Sequence, residues 1–162
     1  MVTLTDERIL ELIREPKPLP DGLSPSPKLT MRNRFWRRDF EFISDAGNSF
    51  VIKLRQSADN FTEFSVILGY RLPGLSKVFI LRRYNGKHQH TNPIEANKFR
   101  DFHRHTATER YQRRGCKDEH FAEIDKRFSN MDGAIDCLIR DCGFQVPEPP
   151  NETLPLFQEP LQ

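Results

Sequence analysis

Residues of alternating polarity fill much of the chain between Trp36 and Tyr84, and this pattern constrains the fold more than any other sequence feature. The apolar residues that occupy every second position of these segments are Trp36, Phe40, Phe42, Phe50, Ile52, Leu54, Phe64, Val66, Leu68 and Tyr70. A period of two is typical of β-strands that turn one face towards a core. Turn-forming residues separate the runs at 45–48 and 72–76, and Asn85-Gly86 is the preferred dipeptide of a tight hairpin. The pattern predicts an antiparallel meander of four or five strands.

Helical spacing occurs on both sides of this region. Residues 4–14 predict a short N-terminal helix with Thr5 as its N-cap. Residues 118–128 and 132–142 predict two further helices, capped by Asp118 and Asp132, and Gly143 is expected to end the second. We therefore expect an α+β fold: an antiparallel four- to five-stranded meander covered on one face by two C-terminal helices, with a short N-terminal helix.

The 162 residues fit one folded domain between two proline-rich segments. Residues 1–30 contain the N-terminal helix and a connector with five prolines, which favour an extended chain. Residues 31–144 form the single predicted domain. Residues 145–162 hold five more prolines and three acids, and this composition predicts a disordered tail that is a candidate docking segment for a protein partner.

Composition excludes some functional classes. Charged residues make up 30% of the chain, and no apolar run approaches the roughly 20 residues that cross a bilayer, so no membrane association is expected. The first residues lack the pattern of a signal peptide, and the three cysteines show no disulfide framework or C-x-x-C pair. We expect a cytoplasmic protein. Acids outnumber bases in 1–30 and 145–162, which leaves 31–144 a net charge of +6, compatible with RNA or a phosphate ligand.

Four of the five histidines occur in two H-x-H pairs, His88/His90 and His103/His105. The second pair lies in the stretch 99–111, which concentrates most of the candidate chemistry. If this stretch is a strand, His103, His105 and Glu109 share one face with Asp101 and Ala107. If it is a helix, Asp101, His105 and Glu109 still lie together. We expect the strand, with the two H-x-H pairs facing each other.

Clustered imidazoles beside arginines are suited to metal-independent cleavage of RNA by general acid/base chemistry. In this interpretation Glu109 or His105 is the base and His103 or His90 the acid. The expected phosphate-binding residues are Arg83, Arg104 and Arg110, with further arginines at 82, 113 and 114. Tyr111 is the candidate for stacking on a base. The sequence thus predicts a toxin-like endoribonuclease that needs no cofactor.

Other interpretations stay open. A non-enzymatic protein- or nucleic-acid-binding module of a mobile or defence-related gene set would use the basic sheet, with structural histidines. A metal-dependent phosphoesterase would use donors among His88, His90, His103, His105, Asp101 and Glu109. Their spacing matches no established zinc motif, so the metal-free mechanism is preferred. The sequence contains no glycine-rich phosphate loop and no G-x-S-x-G motif, and it does not indicate an oligomeric state.

The segment from Leu81 to Tyr111 resembles a small, uncharacterised family of prokaryotic proteins. In that family a strand runs into a His-x-Asn-Pro turn that an H-x-H strand follows. The matching residues are His90, Thr91, Asn92, Pro93, His103, His105, Glu109 and Tyr111. This chain lacks the glycine-rich step expected after Pro93, and its proline-rich tails are longer. The resemblance implies an antiparallel sheet with helices and brings no activity with it.

Overall fold

The alternating stretch forms part of a sheet of seven antiparallel strands in residues 2–147, the part of the chain that this computed structural model describes. The strands are β1 (Lys17–Pro18), β2 (Thr30–Arg32), β3 (Phe35–Ile43), β4 (Ser49–Ser57), β5 (Phe64–Arg71), β6 (Val78–Asn92), β7 (Asn97–Thr106), β8 (Ala122–Ile124) and β9 (Phe144–Gln145). The helices are α1 (Asp6–Arg14), α2 (Glu109–Arg113) and α3 (Met131–Asp141). Strands β2 to β8 cross the large sheet in chain order, and β1 pairs with β9 in parallel. The predicted α+β class is confirmed, with more strands than expected.

One face of the large sheet, called here the inner face, carries the core. The register aligns Phe40 with Ile52 and Ile52 with Leu68, so an apolar row crosses three strands. Leu12 of α1 and Leu138 of α3 are fully buried in the same core. Because alternate residues of a strand point to opposite faces, the other side, called the outer face, displays the remaining residues of each strand.

Two of the three predicted helices are confirmed. In α1 the Thr5 hydroxyl accepts a hydrogen bond from the Arg8 backbone N–H at 3.1 Å, as expected of an N-cap. The N-cap of helix α3 lies two residues earlier than predicted, because Asn130 rather than Asp132 caps the helix and accepts from the Gly133 N–H at 2.8 Å. Gly143 follows α3 with a φ of +74°, a left-handed conformation that glycine adopts readily.

The helix predicted over 118–128 is wrong. Its central residues, Ala122–Ile124, form β8 and pair with β7, aligning Ala122 with His105 and Ile124 with His103. Three apolar residues at helical spacing are a weak local preference, and pairing with the otherwise open edge of β7 satisfies backbone groups of both segments. The helical cover of the inner face therefore comes from α1 and α3, not from two C-terminal helices.

The tight turn predicted at Asn85-Gly86 is also wrong, because β6 continues through it to Asn92. A Cβ atom at position 86 would lie 1.8 Å from the Thr62 carbonyl oxygen. Glycine is therefore required here for close approach of two backbone segments rather than for a turn. The β6–β7 hairpin turns instead at 93–96, where Ala96 has a φ of +55°.

A buried lysine fastens the proline-rich connector to the domain. The Lys17 ammonium is fully buried and donates hydrogen bonds of 2.6–3.0 Å to the carbonyl oxygens of Leu12, Ile13, Glu15 and Cys142. These carbonyls lie at the C-terminal ends of α1 and α3, where helices lack internal donors. The prediction of a disordered tail over 145–162 falls mainly on residues 148–162, which lie outside the described residues, and Gln145 belongs to β9.

Candidate metal centre

A β-bulge in β6 brings the two H-x-H pairs to the same face of the sheet. Asn85 is aligned with His103, but the next aligned pair is His88 with Asp101. Strand β6 therefore advances by three residues where β7 advances by two, and one inserted residue reverses which side chains point outward. Without this bulge, His88 and His90 would lie on the opposite face from His103.

All five histidines of the chain meet beside this bulge. The ring centroids of His90 and His105 are 4.8 Å apart, those of His103 and His105 are 4.9 Å apart, and those of His90 and His103 are 5.5 Å apart. His88 lies 4.6 Å from His103, and His120 lies 5.3 Å from His90. The convergence of both H-x-H pairs was predicted, whereas the position of His120 was not.

His103 is buried with one ring nitrogen satisfied and the other free. Its Nδ1 lies 2.7 Å from the Asp101 carbonyl oxygen, and because a carbonyl only accepts, Nδ1 carries the hydrogen. Its Nε2 is buried and has no hydrogen-bond partner. Burial lowers the pKa of His103 to about 4, since the charged ring would lose its hydration. The ring is neutral near pH 7 and presents an unused lone pair.

His105 repeats this arrangement on the same strand. Its Nδ1 donates to the Glu119 carbonyl oxygen at 2.8 Å, which leaves the lone pair on Nε2. Burial lowers the pKa of His105 to about 2, and the neighbouring His103 acts in the same direction. A neutral imidazole whose other nitrogen is held by a backbone carbonyl is the usual state of a metal-ligating histidine.

Asn92 determines the tautomer of His90. The Asn92 amide nitrogen donates to the Ala122 carbonyl at 2.7 Å, and its Oδ1 accepts from the Ala122 N–H at 3.0 Å, so the orientation of the amide is set by backbone groups. Oδ1 also lies 2.8 Å from His90 Nε2, which must therefore be the donor. The lone pair of His90 is consequently on Nδ1. Burial also lowers the pKa of this ring.

His90, His103 and His105 can each supply one ligand atom, and these three atoms lie within 4.8 Å of one another. Three nitrogens bound tetrahedrally to one zinc ion at roughly 2.0–2.1 Å would lie roughly 3.3 Å apart. Metal binding would therefore draw the three rings closer together. The three residues thus form a candidate metal centre with its supporting hydrogen bonds already in place.

A surface pocket of about 270 Å³ opens onto this centre. It is lined by Arg83, Asn85, His88, His90, His105, Lys117, Glu119 and His120. The Arg83 guanidinium donates to the buried Glu119 carboxylate at 2.9 Å. The His120 ring stacks on Tyr111 at 5.3 Å and its Nε2 lies 3.0 Å from the Thr91 carbonyl. Cationic, acidic and imidazole groups therefore surround the space in front of the candidate ligands.

The other predicted site residues lie elsewhere, except for Arg83. Strand β7 ends at Thr106, so Glu109 is in α2 rather than on the histidine face, and its carboxylate pairs with Arg113. Arg110 pairs with Glu95, and Arg104 pairs with Glu123 at 3.1 Å and Asp125 at 3.4 Å. The Tyr111 ring is fully buried, and its hydroxyl donates to Glu95 at 2.6 Å. None of these four lines the histidine pocket.

Sequence reasoning missed Asn92, Glu119 and His120 as parts of the site. Asn92 had one signal, since it belongs to the His-Thr-Asn-Pro segment that follows the first H-x-H pair. Glu119 and His120 had none, because they fall in a segment with a helical pattern that in fact leads into β8. Only the pairing of β8 with β7 places them beside the histidines.

Comparison of the chain with protein-family models, curated proteins and solved structures found no significant match. The resemblance of Leu81 to Tyr111 to a prokaryotic family stays a prediction. Within residues 2–147, no helix combines the length and apolar character that a membrane crossing requires.

Proposed function

We propose that His90, His103 and His105 bind a divalent transition metal ion, with zinc as the first candidate, and that the protein is a metal-dependent phosphoesterase. One observation carries the proposal: each of the three rings has one nitrogen held by an oxygen acceptor, and each ring offers a ligand atom within 4.8 Å of those of the other two. Buried polar atoms almost always have a partner, and His103 Nε2 has none among the described residues. A metal ion supplies that partner.

His90, His103 and His105 would hold the ion, which when bound would activate water for attack on phosphorus at neutral pH. The net reaction would be hydrolysis of a phosphoester: a bond from a water-derived oxygen to phosphorus would form as the bond from phosphorus to the leaving oxygen breaks. Arg83 and Lys117 line the pocket and bind the phosphate oxygens, while Glu119 orients Arg83. His120, which lines the pocket, would protonate the leaving oxygen.

The metal-free ribonuclease predicted from the sequence is the rival that uses the same rings. General acid catalysis needs a group that holds a proton near the working pH. The lowered pKa values of His103 and His105 leave both rings neutral there, and Glu109 is engaged with Arg113. These features favour metal binding over proton transfer for the two rings. A non-enzymatic binding module predicts neither metal nor turnover.

The cytoplasm stays our proposed location. Cys116, Cys137 and Cys142 are all free thiols, and a reducing compartment keeps thiols in that state.

Metal binding is tested on protein purified without a polyhistidine tag. Elemental analysis followed by calorimetric titration with zinc should give one ion per chain, and His103→Ala and His105→Ala should each abolish that stoichiometric binding. His88→Gln is the matched control, because its ring is in the same cluster but outside the converging set, and it should keep one ion per chain. Absence of tight zinc, cobalt, nickel and manganese binding would overturn the proposal.

Turnover separates the candidate reactions. Hydrolysis of bis(4-nitrophenyl) phosphate should disappear on EDTA treatment, return with added metal, and be absent in His105→Ala. Cleavage of labelled RNA that persists in EDTA and is lost in His103→Ala would support the metal-free ribonuclease instead. Stoichiometric metal without any phosphoester hydrolysis would restrict the function to metal binding.

A further inference from the structure

The outer face aligns two rows of side chains that end at the candidate metal centre. The first row crosses β3 to β7 through the aligned residues Arg37, Arg55, Ser65, Asn85 and His103. The second crosses the same strands through Asp39, Lys53, Ile67, Arg83 and His105. Neighbouring strands lie about 4.8 Å apart, so Arg55 lies roughly 14 Å and Arg37 roughly 19 Å from His103 across the sheet.

The distant cations of these rows have no carboxylate partner. Among the described residues, Arg37, Lys53 and Arg55 form no salt bridge, whereas Arg71 on the same face pairs with Glu41. Three acids, Asp39, Glu63 and Glu119, line the pockets of the same face, and Glu119 is paired with Arg83. The positive charge on this face is available to an anionic ligand.

A second pocket joins the histidine pocket to the distant cations. It has a volume of about 200 Å³ and shares Arg83, Asn85 and His88 with the histidine pocket. At its other end the Arg55 guanidinium lies 3.7 Å from the centroid of the Phe35 ring. A guanidinium stacked on an aromatic ring offers a flat cationic surface of the kind on which unpaired bases stack. The two pockets therefore form one groove from His105 to Phe35.

A small phosphate ester at the histidine pocket would contact Arg83 but could not reach Arg37 or Arg55. Cations spaced along a groove suit a ligand with a phosphate at each repeat. The stacking surface at Phe35 requires bases that are not paired, since a duplex hides the faces of its bases. The spaced cations and the stacking surface therefore both suit a ligand that has repeated phosphates and unpaired bases.

We propose that the outer face binds single-stranded nucleic acid, with its backbone along the groove from Phe35 to the histidine pocket and one phosphodiester at the metal centre. This inference rests on the proposed function for its cleavage step and names its substrate class. Binding itself depends on Arg37, Lys53, Arg55 and Phe35, none of which is a candidate metal ligand.

The test measures fluorescence anisotropy of labelled 12-nucleotide single strands of RNA and DNA, in EDTA, so that no metal-dependent cleavage occurs. Wild-type protein should bind with an affinity that falls as salt rises, because bound phosphates release counterions. The Arg37→Gln/Arg55→Gln double variant should bind about tenfold more weakly, with a salt slope reduced by roughly one to two. Circular dichroism and zinc titration confirm that this variant is folded.

Two further variants make the result specific. Arg14→Gln/Arg140→Gln removes two exposed arginines from α1 and α3, on the side of the inner face, and should leave binding unchanged. With metal added in place of EDTA, His103→Ala should fail to cleave the strands, because it removes a candidate metal ligand. A preference for RNA over DNA would identify the sugar that the groove accepts.

Absence of salt-dependent binding to either strand, or equal affinity of the outer-face variant and its control, would overturn the inference. Equal binding of a 12-base-pair duplex would overturn the single-strand assignment. Metal binding with hydrolysis of the small diester but no strand binding leaves the phosphoesterase standing and defeats this inference. Strand binding without metal binding would leave this inference standing and overturn the phosphoesterase.

Discussion

Lys17 and His103 are both fully buried basic side chains, yet their surroundings differ in one respect. The Lys17 ammonium meets four carbonyl oxygens, so all of its hydrogens have acceptors. The His103 ring has one acceptor, and its Nε2 has no donor to accept from. A buried polar group with every bond made stabilises the fold, whereas one left open costs stability unless a ligand completes it. The comparison assigns Lys17 to the scaffold and His103 to a site.

Removing the satisfied group should have the largest effect on folding. Lys17→Met should lower the free energy of unfolding by about 3–5 kcal/mol, because buried carbonyls at the ends of α1 and α3 lose their donor. Denaturant titration measures this change. Lys126→Met, at an exposed lysine, should change the same quantity by less than about 0.5 kcal/mol. A Lys17→Met protein as stable as wild type would contradict the structural role of Lys17.

Disturbing the bulge should damage the site without touching a histidine. Gly86→Ala places a Cβ atom against the Thr62 carbonyl, so we expect a loss of about 2–4 kcal/mol in the free energy of unfolding and weaker zinc binding. Gly47→Ala is the control: its φ is +86° and its surroundings are open, so it should cost about 1–2 kcal/mol and leave zinc affinity unchanged. Unaltered zinc affinity in Gly86→Ala would show that the bulge does not position the metal ligands.

Removing the unsatisfied group should affect metal binding and spare folding. His103→Leu should raise the zinc dissociation constant at least about 100-fold, which is about 2.7 kcal/mol. The free energy of unfolding of metal-free protein should fall by only about 1 kcal/mol, since the one hydrogen bond from Nδ1 to the Asp101 carbonyl is lost while the unpartnered Nε2 is removed with it. Calorimetry and denaturant titration in EDTA provide the two numbers. A loss of stability as large as that of Lys17→Met would mean that both groups are structural.

The pH dependence of stability should sharpen the same contrast, with the smallest effects. Burial lowers the pKa of Lys17 from 10.5 to about 8 and that of His103 from 6.5 to about 4. In both intervals the unfolded chain binds the proton more tightly, so metal-free protein loses stability as pH falls through each one. In Lys17→Met the free energy of unfolding should lose its pH dependence between about pH 8 and 10.5 only. In His103→Leu it should lose its pH dependence between about pH 4 and 6.5 only. A wild-type curve that neither variant alters would contradict both assignments.

Local patterns predicted the elements that depend on neighbours in the sequence. The alternation from Trp36 to Tyr84 predicted strands, and the capped periodic segments predicted α1 and α3. The pattern at 118–128 misled because its three apolar residues are compatible with helical spacing, while an unpaired edge of β7 selected a strand. Asn85-Gly86 misled because glycine serves close packing against Thr62 as well as turns. In both places a contact distant in sequence outweighed a local preference.

The candidate site likewise combines features that follow from the sequence with features that depend on contacts between strands. Two H-x-H pairs place two histidines on one face within each strand, and this follows from the sequence alone because the side-chain period of a strand is two. Whether the two pairs lie on the same face of the sheet depends on the register between β6 and β7. The bulge between Asn85 and His88 places both pairs on the outer face. Register is a property of paired strands, so no residue pattern within one strand could reveal it.

The sequence by itself determined that this chain is an antiparallel sheet with helices and that histidines are its most concentrated reactive groups. Only the tertiary structure decided that Glu109 lies in α2 beside Arg113, that Asn92 and two backbone carbonyls select the tautomers of three rings, and that His103 Nε2 is left without a partner. The physical reason is that composition and periodicity act over a few residues, whereas hydrogen-bond satisfaction is settled between segments that fold together.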